Sequence, residues 1–392
     1  MSDYQTQRVR RLQELMKESG FDCLVCRLPE NVVYITEYWP HHGISVSVLP
    51  KEGKPTVFIP EVEAAWGNPD WAEVVPFGWA LLKDQDLYTS YRQQLTQIRH
   101  TLGLEKARIG VEKELEIVGT TYRHAEPIVP AAPWNSLLDE VFASANLLDA
   151  TELLQTAKLI KTPYDLERLR VANELAEIGT AKFLSDLQPG MREVEISALI
   201  EGTIRQEGAG YKGARLVWAE VEVASGAVNT AKANLLIPST DRVIEEGDLV
   251  MVEMATVMDG YYSDLTYMAV AGEPSQRQRE VHNAVLDAQQ AASRQMVPGN
   301  SYADPDTAAR KVLQDAGLGE YFVHVTGHGL GFRFHESTPF LMPGATGTLQ
   351  EGIVSSVEPG VYITGFGGIR IEDNVAVSKD GPDFLSTPRL PW

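Results

Sequence analysis

The sequence predicts an α+β chain in two domains, a smaller mixed α/β domain over residues 1–155 and a larger α+β domain over residues 156–392. Three observations carry this. At 392 residues the chain exceeds what one ordinary hydrophobic core serves. Its first part alternates short strand-like runs with helical stretches. Its second part changes to long helices interspersed with strands and hairpins.

Residues 4–19 are polar and helix-periodic, and Gly20 supplies a stop. The runs DCLVCR, NVVYIT, GISVSVLP, PTVFIP and ARIGVE then read as strands, with helical stretches at 89–102 and 135–144. A long helix is expected from Pro163, which suits a first turn, with Thr162 as its cap. Further helices are expected at 192–207, 274–296 and near 302–316. The strands between and after them imply helices packed on a mostly antiparallel, curved sheet. Cys23 and Cys26 form a CxxC with no second pair to complete a zinc site, and read as small apolar fillers of a buried strand.

Composition narrows the function. A formal net charge of −20 argues against a nucleic-acid partner, which needs a basic patch. No apolar run reaches the length of a membrane span. The polar start lacks the apolar core of a signal peptide, so the cytoplasm is the expected location.

Five side chains stand out: Glu253, Asp264, His328, Glu358 and Glu372. They occur in GDLVMVEMATVMDGYYSDLTYMAV, HVTGHGLGFRFHE, SSVEPGVYI and GGIRIEDNV, segments that read as buried strand or glycine-rich turn. Carboxylates in apolar strands are costly to bury unless a cation neutralises them. Four carboxylates and one imidazole can do this by holding two divalent metals of the manganese, cobalt, zinc or iron type.

Geometry supports the first pair. Asp259-Gly260 is a two-residue hairpin turn, so Met258 pairs with Tyr261, Glu253 faces Thr266 and Asp264 faces Ala255. Glu253 and Asp264 are then diagonal neighbours on one face. Two solvent-facing acids would be the plain alternative, but both faces of the hairpin are apolar. Glu358 and Glu372 lie on opposite sides of a second glycine-rich turn, where Pro359-Gly360 hides the register. His324, His328 and His335 share twelve residues broken by Gly327, Gly329 and Gly331. One can ligate while the others bind substrate or carry protons.

These motifs resemble the pita-bread-fold metallopeptidases, the group of methionine aminopeptidase, aminopeptidase P, prolidase and creatinase. HVTGHGLG resembles their HxxGHGxG motif, and SSVEPGVYI and GGIRIEDNV resemble their glutamate-bearing strands. The first domain, with PENVVYIT, resembles the extra domain of the Xaa-Pro peptidases and creatinase. The resemblance implies a C-terminal pita-bread domain holding two divalent ions, manganese foremost, with cobalt, zinc or iron as alternatives. It implies Asp264 and Glu372 as bridging ligands, His328 as the histidine ligand and Glu358 as the glutamate beside the attacking water. His324 and His335 would contact the substrate and the developing oxyanion, with Arg370 both supporting the metal ligands and helping to bind substrate. A homodimer is expected by the same analogy.

Two departures qualify the resemblance. The family's first ligand is an aspartate, and Glu253 stands there. The family also carries a histidine ahead of the first ligand strand, about where Asn234 and Leu235 fall. The leading expectation is hydrolysis of the amide bond before proline in a short peptide, without nucleic-acid or membrane partners. A creatinase-like hydrolase of another small C–N substrate, with a weakened or absent metal site, is the second reading. A non-catalytic binding homologue is the third.

Overall fold

The computed structural model describes residues 3–79, 86–113, 132–233 and 239–392. The chain divides into two compact units, Met1–Lys158 and Leu159–Trp392.

In the first unit, helix α1 (Asp3–Ser19) precedes β1 (Cys23–Cys26), α2 (Pro29–Thr36), β2 (Val46–Pro50), β3 (Thr56–Pro60) and β4 (Glu73–Phe77). Then follow α3 (Leu87–Leu102), β5 (Arg108–Val111), α4 (Ala132–Val141), β6 (Asn146–Asp149) and α5 (Thr151–Leu159), in which the division falls. The six strands form one mixed sheet in the order β4-β3-β2-β1-β5-β6. Alternation along β3 sends Phe58 into one apolar cluster and Val57 and Ile59 into another, so both faces are covered. Cys23 and Cys26 are buried free thiols in β1, and burial pushes both thiols' pKa up.

One element differs from the expectation. The run NVVYIT is helical, not extended. Pro29 occupies the first turn and Glu37 closes the helix in a left-handed conformation. Residues Asn31 to Thr36 are all buried. A helix enclosed on every side needs no polar face, so its sequence mimics a strand.

The second unit contains α6 (Pro163–Asp186), α7 (Glu193–Gly208), β7 (Val217–Ser225), α8 (Gly226–Lys232), β8 (Leu249–Met258), β9 (Tyr261–Val270), α9 (Gln276–Ser293) and α10 (Asp304–Asp315). It continues with β10 (Gly327–Gly329), β11 (Glu336–Leu341), β12 (Val354–Val357), β13 (Gly360–Ile363), β14 (Gly367–Arg370), β15 (Asp373–Ala376) and β16 (Asp383–Phe384). Thr162 and Asp165 form a reciprocal capping box on α6.

Strands β7-β8-β9 form one antiparallel sheet and β11-β10-β12-β15-β16 another, with β13-β14 as a separate pair. Val250, Val252, Met254 and Leu265 pack with Phe183 of α6 and Ile200 of α7. Met251 and Met268, from the opposite face, pack with residues of α9, α10, β13 and β14. Glu253 and Asp264 project on that second face.

Candidate metal centre

The first hairpin has the expected register: Met258 pairs with Tyr261, Glu253 with Thr266 and Ala255 with Asp264. Asp259 and Gly260 both have positive φ, as a tight two-residue turn requires. Across the second hairpin, Val357 pairs with Asp373 and Gly360 with Arg370. The same register therefore holds on both sides of Pro359, and Glu358 stands opposite Glu372 in the break between the two ladders.

Strand β10 brings His328 in from a third direction. A Cβ on Gly327 would lie 2.0 Å from the Ser356 carbonyl oxygen, and one on Gly329 2.3 Å from that of Thr338. Only glycine permits this approach.

The five residues converge. Ligand atoms of Glu253, Asp264 and Glu372 lie within 4.8 Å of one another, as do those of His328, Glu358 and Glu372, and of Asp264, His328 and His335. His328 Nδ1 faces the Gly329 carbonyl at 3.1 Å, so Nδ1 carries the proton. Its Nε2 lone pair then points at Asp264 Oδ2 (3.2 Å) and Glu358 Oε1 (3.4 Å). Acceptors facing acceptors repel unless a cation lies between them. Asp264 Oδ1 and Glu372 Oε1 are also buried with no hydrogen-bond partner among the described residues. This donor set of imidazole nitrogen and carboxylate oxygen fits a divalent transition metal.

Electrostatics agree. Burial, then repulsion from neighbouring carboxylates, raises the Asp264 and Glu372 pKa well above the usual range. Burial also raises Glu358 to about 7, against the pull of Arg370. It lowers His328 to about 3 and His324 to about 4, and lowers His335. Glu253 is the exception. Burial works to raise its pKa, but the charge of Arg370 and bonds from Thr266 and Arg370 outweigh it and lower the value.

That exception reflects two close contacts of its carboxylate. Glu253 Oε2 reaches Arg370 Nη2 in a short ion pair and lies 2.5 Å from Thr266 Oγ1. Thr266 also lies 2.8 Å from Glu372 Oε2 and accepts from Arg370 Nε at 2.9 Å. Arg370 Nη1 donates to Ala233 O and to the Tyr362 hydroxyl, both at 2.9 Å.

His324 is anchored at both ring nitrogens. Its Nδ1 is 2.7 Å from Val325 O and its Nε2 is 2.9 Å from the Tyr362 hydroxyl, so both nitrogens already have partners. The His335 ring, by contrast, lies half-buried with its centroid 4.2 Å from that of His328. Asn234 and Leu235, where the family's further histidine would fall, lie outside the described residues.

Three contributors carried no strong sequence signal. Thr266, Tyr362 and Asn374 are ordinary strand residues. The expected register did place Thr266 opposite Glu253. Asn374 accepts from Asp264 N at 3.0 Å and donates to Asp264 O at 2.6 Å, acting as a one-residue ladder partner.

Comparison with known proteins finds matches to both parts of the chain. Residues 167–379 match the model of metallopeptidase family M24, and residues 8–171 match the creatinase/prolidase N-terminal domain. An Xaa-Pro dipeptidase of Lactobacillus helveticus is 30% identical over 377 residues, covering 95% of this chain and 94% of that protein. The solved structure of an Xaa-Pro dipeptidase from Bacillus anthracis aligns with a TM-score of 0.78 at 25% identity, over 98% of this chain and 99% of that one. Prolidase from Pyrococcus furiosus aligns at 0.73 and 26% identity, over 96% and 100%.

Proposed function

Because the chain belongs to metallopeptidase family M24, we propose that it is a metal-dependent Xaa-Pro peptidase, cleaving the amide bond before proline in dipeptides or short peptides. The observation that carries this is the convergence of one imidazole and four carboxylates with two buried, unpartnered oxygens.

In this reading Asp264, Glu372, His328, Glu358 and Glu253 would hold two divalent cations, manganese foremost, with cobalt, zinc or iron as alternatives. Such cations, when bound, supply Lewis acidity and lower the pKa of water. Glu358 takes the proton of the attacking water and delivers it to the leaving proline nitrogen.

His335 meets the substrate directly and steadies the oxyanion. His324 acts through Tyr362. With Nδ1–H bonded to Val325 O, its Nε2 accepts the Tyr362 hydroxyl proton, and that oxygen accepts from Arg370. Arg370 thereby connects the substrate side to Glu253, while its charge opposes the rise in the Glu358 pKa. A cytoplasmic homodimer completes the reading. The two free buried thiols suit a reducing compartment.

The test is metal analysis of purified protein with turnover of Xaa-Pro dipeptides after chelator stripping and Mn²⁺ readdition. Bound metal and restored Xaa-Pro cleavage are expected. A chain without bound metal or peptide turnover refutes the reading and favours the small C–N hydrolase, whose support is the altered ligand Glu253.

A further inference from the structure

Glu372 falls in the two-residue gap between β14 and β15, where neither ladder registers its backbone. Its side chain faces the metal cluster and is fully buried. Its carbonyl oxygen points the other way and accepts from Arg389 Nη2 at 3.1 Å. The same guanidinium nitrogen lies 3.2 Å from Asp373 Oδ1, a carboxylate with no exposure. Arg389 is itself largely enclosed, with Cζ 3.5 Å from the centroid of the Tyr267 ring on β9.

The segment carrying Arg389 is fixed at several points. Ser386 Oγ donates to Asp373 Oδ1 at 2.7 Å, and Gln289 of α9 donates to Asp373 Oδ2 at 3.0 Å. Thr387 Oγ1 donates to Glu177 of α6 at 3.0 Å. The Trp392 ring stacks on His282 of α9 with centroids 4.0 Å apart.

We propose that Arg389 is a positioning residue for the metal centre: it holds the backbone of Glu372 and the side chain of Asp373 together, and so aims the Glu372 carboxylate. This rests on the metal reading above. The physical basis is that a ligand in a gap between strands has no ladder to fix its direction. A largely enclosed guanidinium, whose Nη2 is shared by the Glu372 carbonyl and the Asp373 carboxylate, supplies that restraint. Partners that orient a ligand from behind typically govern metal affinity by 10–100-fold.

The experiment is titration of chelator-stripped protein with Mn²⁺, reading free ion by electron paramagnetic resonance. Arg389→Met is expected to weaken at least one Mn²⁺ by about 10–100-fold. Arg389→Lys keeps a charge near Asp373 but withdraws the Nη2 donor shared with the Glu372 carbonyl, and is expected to weaken it at least several-fold. Glu177→Ala loosens the same segment at Thr387 without touching Glu372, and is expected to keep wild-type affinity while lowering the melting temperature. If Arg389→Met does not fold, Arg389→Lys decides. Wild-type affinity in a folded Arg389 variant overturns the proposal, as does equal weakening by Glu177→Ala. A wild-type chain that takes up no Mn²⁺ overturns the metal reading and this inference together.

Discussion

Lys161 and Glu336 lie 175 positions apart and meet as a buried ion pair, with Nζ 2.5 Å from Oε2. Glu336 also accepts from Phe332 N at 3.0 Å, closing the loop that carries His335. Lys161→Met leaves that carboxylate buried without this cation and is expected to cost about 3–5 kcal/mol. Glu336→Gln keeps an acceptor for Phe332 N and a neutral partner for Lys161, so its expected cost is about 1–3 kcal/mol. The double variant removes both charges and should cost less than Lys161→Met alone. The coupling energy of this cycle is therefore about 2 kcal/mol or more. In urea unfolding with a slope near 3 kcal/mol/M, Lys161→Met moves the midpoint down by on the order of 1 M. Equal stabilities for Lys161→Met and the double variant, within about 0.5 kcal/mol, would refute a stranded charge as the cause.

Three further outcomes are expected. Glu358→Gln removes the proposed base and should lower kcat by about 10²–10⁴-fold; a loss under tenfold in steady-state kinetics contradicts that role. Asn374→Ala deletes both bonds to the Asp264 backbone and should cost about 2 kcal/mol, with faster amide exchange at Asp264 as its local signature. His282 is held neutral by burial, its pKa lowered to about 4. Below about 6.5 the unfolded chain binds a proton that the fold refuses, so this stability is present above that pH and lost as pH falls toward 4, by up to about 3 kcal/mol. His282→Phe keeps an aromatic ring against Trp392 and should flatten that part of the pH–stability curve. An unchanged slope would rule His282 out as its source.

Much of the site was legible because strand periodicity and turn chemistry are local. Asp259-Gly260 fixed the first register, and with it the pairing of Glu253 with Thr266. The second hairpin was less legible, because Pro359 has no amide hydrogen to donate and interrupts the ladder although its register continues. The ion pair of Glu253 with Arg370 depends on side-chain reach across two hairpins, which no spacing encodes. Tyr362 and Asn374 belong to residue types found in any strand, and only their neighbours give them meaning. NVVYIT misled for the opposite reason: full enclosure erased the helical period.

The alternation in β8 and β9 has a consequence for how the chain folds. On β9, Asp264 faces the metal cluster and its neighbour Leu265 faces the apolar cluster containing Phe183, Val250 and Val252. A pairing slipped by one residue exchanges those two faces. It drives a bare carboxylate into hydrocarbon and expels a leucine, an error costing several kcal/mol at a single position. The exchange of faces thus disfavours the slipped pairing of this hairpin.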